Sequence, residues 1–180
     1  LLGSMAGDAV VGVFVTVRSI AGVANVLMEI LETQVAARMG RDLAQGDSSF
    51  TQTLRRVRLF GFGVWAVGLV ACLLGGEFVL QQVFGAEYAQ NTWLLTALWS
   101  ANGVIFLYRL EAVRQRTLGA AKNVAIAYGV AAVTVLLMAP LFIPAYGALG
   151  VGFMLIVGAL ALLFSQRLLA RLNQLPVVQL

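Results

Sequence analysis

No charged residue occurs between Lys122 and Arg167. A helix needs roughly 20 mostly apolar residues to cross a bilayer, so this interval has room for two crossings. The rest of the chain agrees: 61% of residues are hydrophobic and 11% are charged, with mean hydropathy +0.91. A soluble domain carries about a quarter charged residues, which excludes most soluble enzymes and binding domains. Disorder is excluded too, because it requires low hydrophobicity and high charge. Cys72 is the only cysteine and there is no histidine, so an internal disulfide, a Cys/His metal cluster and His-dependent catalysis are ruled out. A net charge of +4 and a pI near 9.8 would suggest nucleic acid in a soluble protein. In an apolar chain the location of each positive charge decides its meaning.

The spacing of charges predicts an all-α membrane bundle of five spans, near 9–33, 59–81, 91–110, 123–142 and 147–167. Pro140, Pro144 and Tyr146-Gly147 divide the long uncharged run. The runs are too long and too uniform for barrel strands, which alternate over about ten residues. Leu1 to Gly7 reads as the tail of a preceding span, with Gly3 and Gly7 at a helix-contact spacing. The chain starts at Leu1 and shows no signal-peptide pattern, so it is expected to be a piece of a longer protein.

With five spans, every Lys and Arg except Arg18 falls on one side. The segments are Arg38–Arg58, Arg109–Lys122 and Arg167–Arg171, and the opposite loops have neither residue type. The positive-inside rule makes that side cytoplasmic and puts the C-terminus there. Tyr88, Trp93 and Tyr146 fall at the outer interface, where aromatic residues gather. Gly46-Asp47-Ser48 predicts a turn followed by a short amphipathic helix that lies on the cytoplasmic surface and runs into the second span. Phe50, Leu54 and Val57 share its apolar face toward the lipid headgroups.

The first span carries Arg18, Asn25, Glu29 and Glu32. At about 100° per residue these side chains lie within about 40° of Arg18, as one polar stripe. An arginine at mid-bilayer costs about 2.5–3.5 kcal/mol on insertion scales, so it needs a partner or a watery cavity. A cavity-facing guanidinium suits phosphate, because its planar fork binds two oxygens. The alternative is an ion pair with a carboxylate on another helix. Glu29 lies about 16 Å along the axis from Arg18, too far for a pair within the helix. Glu29 and Glu32 serve either in ion coupling or by reaching the interface beside Arg38 and Arg41. On the third span Thr92, Thr96, Ser100 and Gly103 repeat at packing distance, with Thr96 and Ser100 as secondary cavity-lining candidates. Glu111 and Arg114 continue that stripe to its cytoplasmic end, whereas Asn102 lies off it. Ala148 and Gly152, with Gly150 and Gly158, offer small surfaces for helix contact, and Cys72 reads as inert packing.

Three segments carry a family resemblance. Val83-Phe84-Gly85-Ala86-Glu87-Tyr88, followed by Trp93-Leu94-Leu95, resembles the "lFG.eY…ll" segment of polysaccharide flippases. These belong to the superfamily of multidrug and toxin extrusion exporters and the lipid II flippase. Residues 7–47 resemble the family helix that ends in a cytoplasmic "P.lSrl…gd" stretch, with Thr33-Gln34-Val35 where proline is frequent. Tyr146-Gly147-Ala148-Leu149-Gly150 resembles "yGaiGaa" at the start of the final helix.

The resemblance implies two six-helix bundles, of which this chain supplies helices eight to twelve. It implies a bacterial inner-membrane flippase that moves undecaprenyl-pyrophosphate-linked oligosaccharide outward for surface polysaccharide synthesis. Its partners would be that lipid-linked sugar, membrane lipids and the N-terminal bundle, with no nucleic acid. Arg18 is the cavity residue matched to the pyrophosphate, and Asn25, Glu29 and Glu32 accompany it. No catalytic residue, metal or cofactor is expected. The alternatives are a cation-coupled multidrug exporter of the same fold, or a membrane-embedded glycan polymerase or ligase.

Overall fold

The computed structural model describes residues 7–45 and 47–173. Residues 1–6, where a preceding span was expected to end, and Gly46 of the expected turn lie outside the described residues. Among the described residues the chain is all helical, with no strand. Helix α1 is Asp8–Gln45, α2 is Asp47–Phe84, α3 is Thr92–Thr117 and α4 is Ala121–Leu172. A 3-10 helix, Ala86–Asn91, joins α2 to α3.

The connections are built where the sequence escapes helical geometry. Gly85 has φ 107°, a left-handed conformation that other residues adopt only under strain. It ends α2, and Tyr88 then folds back so that its ring lies 5.7 Å from that of Phe84. In α4 the backbone stays helical through Pro140 and Pro144 and breaks at Gly147, with φ 55° and ψ −128°. The reversal expected near 143–147 therefore rests on the glycine and not on the prolines. A straight helix of this length would run about 78 Å. Instead, Asn173 Nδ2 donates to Asn123 Oδ1 at 2.8 Å, so α4 is two antiparallel arms. Ala127, Ala131 and Leu162 close one level between the arms, and Ala139, Ile143 and Met154 close another. The small residues act as the spacing suggested: Gly158 sits against Val135, and Gly152 sits against Ala97 and Leu94 of α3.

Helix α3 is the axle of the bundle. α1, α2 and α4 all pack on it, and α2 and α4 scarcely meet each other. The α2–α3 seam fits large residues over glycines. The Phe106 ring occupies the space where a side chain at Gly61 would sit, Trp99 covers Gly68, and Trp65 covers Gly103. The two indoles also exchange hydrogen bonds across the seam. Trp65 Nε1 donates to the Trp99 carbonyl at 3.2 Å, and Trp99 Nε1 donates to the Trp65 carbonyl at 3.0 Å.

Two helical stretches, Phe50–Phe84 and Ala121–Leu172, are long and apolar enough to cross a membrane. In α1, Val10–Val23 and Met28–Asp42 meet that measure together across a 47° bend. Helix α3 does not, because Asn102 and its Thr, Ser and Trp residues lower its mean hydropathy. Most of its surface faces protein, so it has less need to be apolar all round.

The amphipathic segment departs from expectation. Residues from Asp47 onward run into the apolar part of α2 as expected, but as the first turns of one continuous helix and not as a helix lying along the surface. Phe50 and Leu54 are buried against Val35 and Met39 of α1 and Val113 of α3. The shared face was read correctly. Protein covers it instead of headgroups, because α1 continues as a helix beyond residue 33 and supplies a partner.

Candidate functional site

Two polar constellations sit on this frame. The first is the α1 stripe. Phe14, Val17 and Ala21 turn inward onto Leu94, Leu95 and Leu98 of α3, which leaves Arg18 exposed on the flank of that seam. The depth of Arg18 is fixed nearby: Asn102 Nδ2 of α3 donates to the Ala21 carbonyl at 2.8 Å. Asn102 lies in the middle of α3, so Arg18 sits near mid-bundle. Its contact within the chain is the Phe14 ring, 5.8 Å from the guanidinium carbon. Among the described residues no carboxylate pairs with it. Asn25 is half-buried and Glu29 is exposed on the same flank.

Glu32 has a different neighbour from the ones expected. Its Oε2 lies 3.5 Å from Arg109 Nη1 of α3, not beside Arg38 or Arg41. The pair ties the lower half of α1 to the axle, below the 47° bend between Val23 and Met28. Asn102 meets the backbone at Ala21, just above that bend. A side chain bonded to a helix carbonyl competes with the helix's own ladder and is a recognised cause of bending. The bend thus lies upstream of Thr33-Gln34-Val35. With the Glu32 and Arg109 side chains 25% and 30% exposed, the pair should couple by about 0.5 kcal/mol. A double-mutant cycle of Glu32→Gln and Arg109→Gln, read by detergent unfolding, measures this. Strictly additive losses would remove the bridge from the account.

Thr96 and Ser100 are engaged on their own helix. Thr96 Oγ1 donates to the Thr92 carbonyl at 2.9 Å, and Ser100 Oγ donates to the Thr96 carbonyl at 2.8 Å. Thr96 is buried and Ser100 half-buried, so both hydroxyls serve helix packing in this arrangement.

The second constellation lies at the basic end of α3, and most of it escaped the sequence reading. Glu111 and Arg114 are both buried. Arg114 Nη2 reaches Glu111 Oε1 at 2.6 Å, and its Nε reaches both carboxylate oxygens at 3.1 Å. Gln115 Nε2 donates to Glu111 Oε1 at 3.0 Å and to the main-chain carbonyl of Gln166 at 2.9 Å, which ties α3 to the second arm of α4. Gln166 is fully buried, and neither amide atom of its side chain has a partner among the described residues. The available signal was the i, i+3, i+4 spacing of Glu111, Arg114 and Gln115, which puts them on one side of α3.

Charge is divided between the ends of the bundle. The helices alternate in direction, so all Lys and Arg residues except Arg18 lie toward one end. Asp8, Glu77 and Glu87 lie at the other. Among the described residues no cluster of three or more His, Cys, Asp or Glu side chains could hold a metal ion. No protein-family model, curated protein or solved structure matches the chain.

Proposed function

We propose that this chain is part of a membrane flippase. In this reading its five helical arms each cross the bacterial inner membrane, with the basic end and C-terminus cytoplasmic. A second helical bundle faces the α1 stripe across a central cavity. The transported molecule is an undecaprenyl-pyrophosphate-linked oligosaccharide, and the protein moves it without chemical change. The observation that carries the reading is Arg18: a guanidinium at mid-bundle depth, exposed, with no carboxylate partner among the described residues. Such a group is tolerated where it faces water or an anion, and a pyrophosphate fits its two-oxygen fork. The division of charge between the ends supports the orientation. A cation-coupled exporter is less well supported: Glu32 is engaged by Arg109, and Glu29 lies toward the basic end.

The test separates water from lipid on the two faces of α1. In a Cys72→Ala background, single cysteines replace Gly22 or Asn25 on the stripe, and Val23 or Ile30 on the outward flank. Val23 and Ile30 are 62% and 52% exposed. A water-soluble maleimide should modify the stripe positions and spare the flank, and the lipid-pyrophosphate should slow that modification. Equal labelling on both faces would overturn the cavity. Protection by cationic drugs and not by the lipid-pyrophosphate would favour the exporter.

A further inference from the structure

A second group of arginines lies away from the Arg18 stripe, where α2 and α4 flank α3. Helices α2 and α4 both pack on α3 and scarcely on each other, and beside α2 a shallow furrow runs along α3. At its basic end Arg58 stands one turn before Phe62 on α2, and Arg167 of α4 follows Gln166, whose carbonyl is tied to Gln115 of α3. The charges of Arg167, Arg114 and Glu111 all reach Arg58. Among the described residues, Glu111 is the carboxylate that shares this field. That carboxylate is already held by both the Nε and Nη2 of Arg114.

Arg58 and Arg167 are half-buried, whereas Arg55, Arg56, Arg116 and Arg171 are exposed. Exposed arginines need no more than water. Two half-buried cations brought together repel, and an anion between them removes that cost. Among the described residues, Glu32 pairs with Arg109, and Asp42 accepts from the Thr53 hydroxyl at 2.7 Å. Gln166, next to Arg167, adds a fully buried amide with no partner at either atom.

Further along the furrow its walls turn apolar, with Gly61, Phe62, Gly103, Val104 and Leu107 lining a depression. Phe62 is 55% exposed there. A charged end followed by an apolar strip matches a phosphate headgroup with its acyl chain. We infer that this groove binds an anionic phospholipid, with its phosphate on Arg58 and Arg167 and an acyl chain along Phe62, Val104 and Leu107. Basic pockets between helices at the inner face are a known setting for such headgroups. The inference uses only the placement of this end at a bilayer surface. It does not depend on what Arg18 binds.

The chain purified in detergent is offered phosphatidylglycerol or phosphatidylcholine, and retained lipid is counted by native mass spectrometry. Phosphatidylglycerol should be preferred, and Arg58→Gln with Arg167→Gln should weaken it by roughly tenfold or more. Arg55→Gln with Arg56→Gln removes the same charge from the exposed face of α2 and should leave the preference intact. If the glutamine pair does not fold, Arg58→Lys with Arg167→Lys is read instead and should show partial loss, because charge survives but the fork does not. Arg18→Ala should change nothing, which separates this site from the transport reading. Equal loss in the two glutamine pairs, no loss in the lysine pair, or no preference over phosphatidylcholine would overturn the proposal. Displacement of the lipid by inorganic phosphate alone would assign the site to a free anion and overturn it as well.

Discussion

Arg18→Ala should abolish surface polysaccharide in cells that depend on this protein, while the protein remains in the membrane at its normal amount. The two halves of that result have separate causes. Loss of function follows from losing the fork that would meet the pyrophosphate. Charge-assisted hydrogen bonds are each worth about 1.5–3 kcal/mol, so losing one or two slows export by about tenfold to about 10⁴-fold. Normal abundance follows from the fold, because Phe14, Val17 and Ala21 make the packing seam and Arg18 does not. Removing a mid-bilayer arginine also relieves an insertion cost of about 2.5–3.5 kcal/mol. The variant should therefore resist unfolding at least as well as the parent. Activity down with stability unchanged or up is the pattern of a functional charge. A structural ion pair would lose both.

Arg18→Lys should fall between the parent and the alanine variant, since an ammonium keeps the charge but binds as a point. Surface glycan is read on gels, protein level by immunoblot and stability by detergent unfolding. Unchanged glycan in Arg18→Ala would sink the transport role of this residue.

The helical segments were legible because each apolar run is bounded by charge: Arg58 before the second, Lys122 and Arg167 around the last two. The bounds failed where a helix outlasts its apolar part. The first span was bounded at 33, before Arg38 and Arg41, yet α1 runs on to Gln45, since a helix can carry charges on an exposed face. The apolar face of Phe50 and Leu54 was legible from its period. What covers that face was not, because the covering residues, Val35 and Met39, lie across the chain reversal. On α1 the polar stripe was visible as an angle, but the allocation of Glu32 to Arg109 depends on the register of α1 against α3. Asn102 looked unassigned for the same reason, since its partner is a backbone carbonyl on another helix and leaves no mark on the sequence. That Arg58 and Arg167 flank the same end of α3 was beyond any local pattern, with α3 and the first arm of α4 intervening in sequence.

Register also decides the second large effect. Gly68→Leu should destabilise the bundle by about 3 kcal/mol, while Gly63→Leu and Gly75→Leu should cost far less. A side chain at Gly68 would meet the indole of Trp99, whereas at Gly63 and Gly75 it would meet open space. Overpacking a filled seam costs about 1–3 kcal/mol through forced shifts. Here the indole cannot yield without breaking its bond to the Trp65 carbonyl, and the reciprocal bond shares that seam. Hydrogen bonds between membrane helices average about 0.6 kcal/mol, so losing both brings the total to the upper end of the range. Trp99→Ala should be harmful alone, because it opens a cavity, yet it should partly rescue Gly68→Leu by giving the leucine that space. Unfolding in a detergent titration, followed by tryptophan fluorescence and circular dichroism, reads all of these variants. If Gly68→Leu unfolds at the same point as Gly63→Leu, then α2 and α3 do not meet in this register. Phe106 over Gly61 and Trp65 over Gly103 would be lost with it, because all three contacts belong to one antiparallel seam.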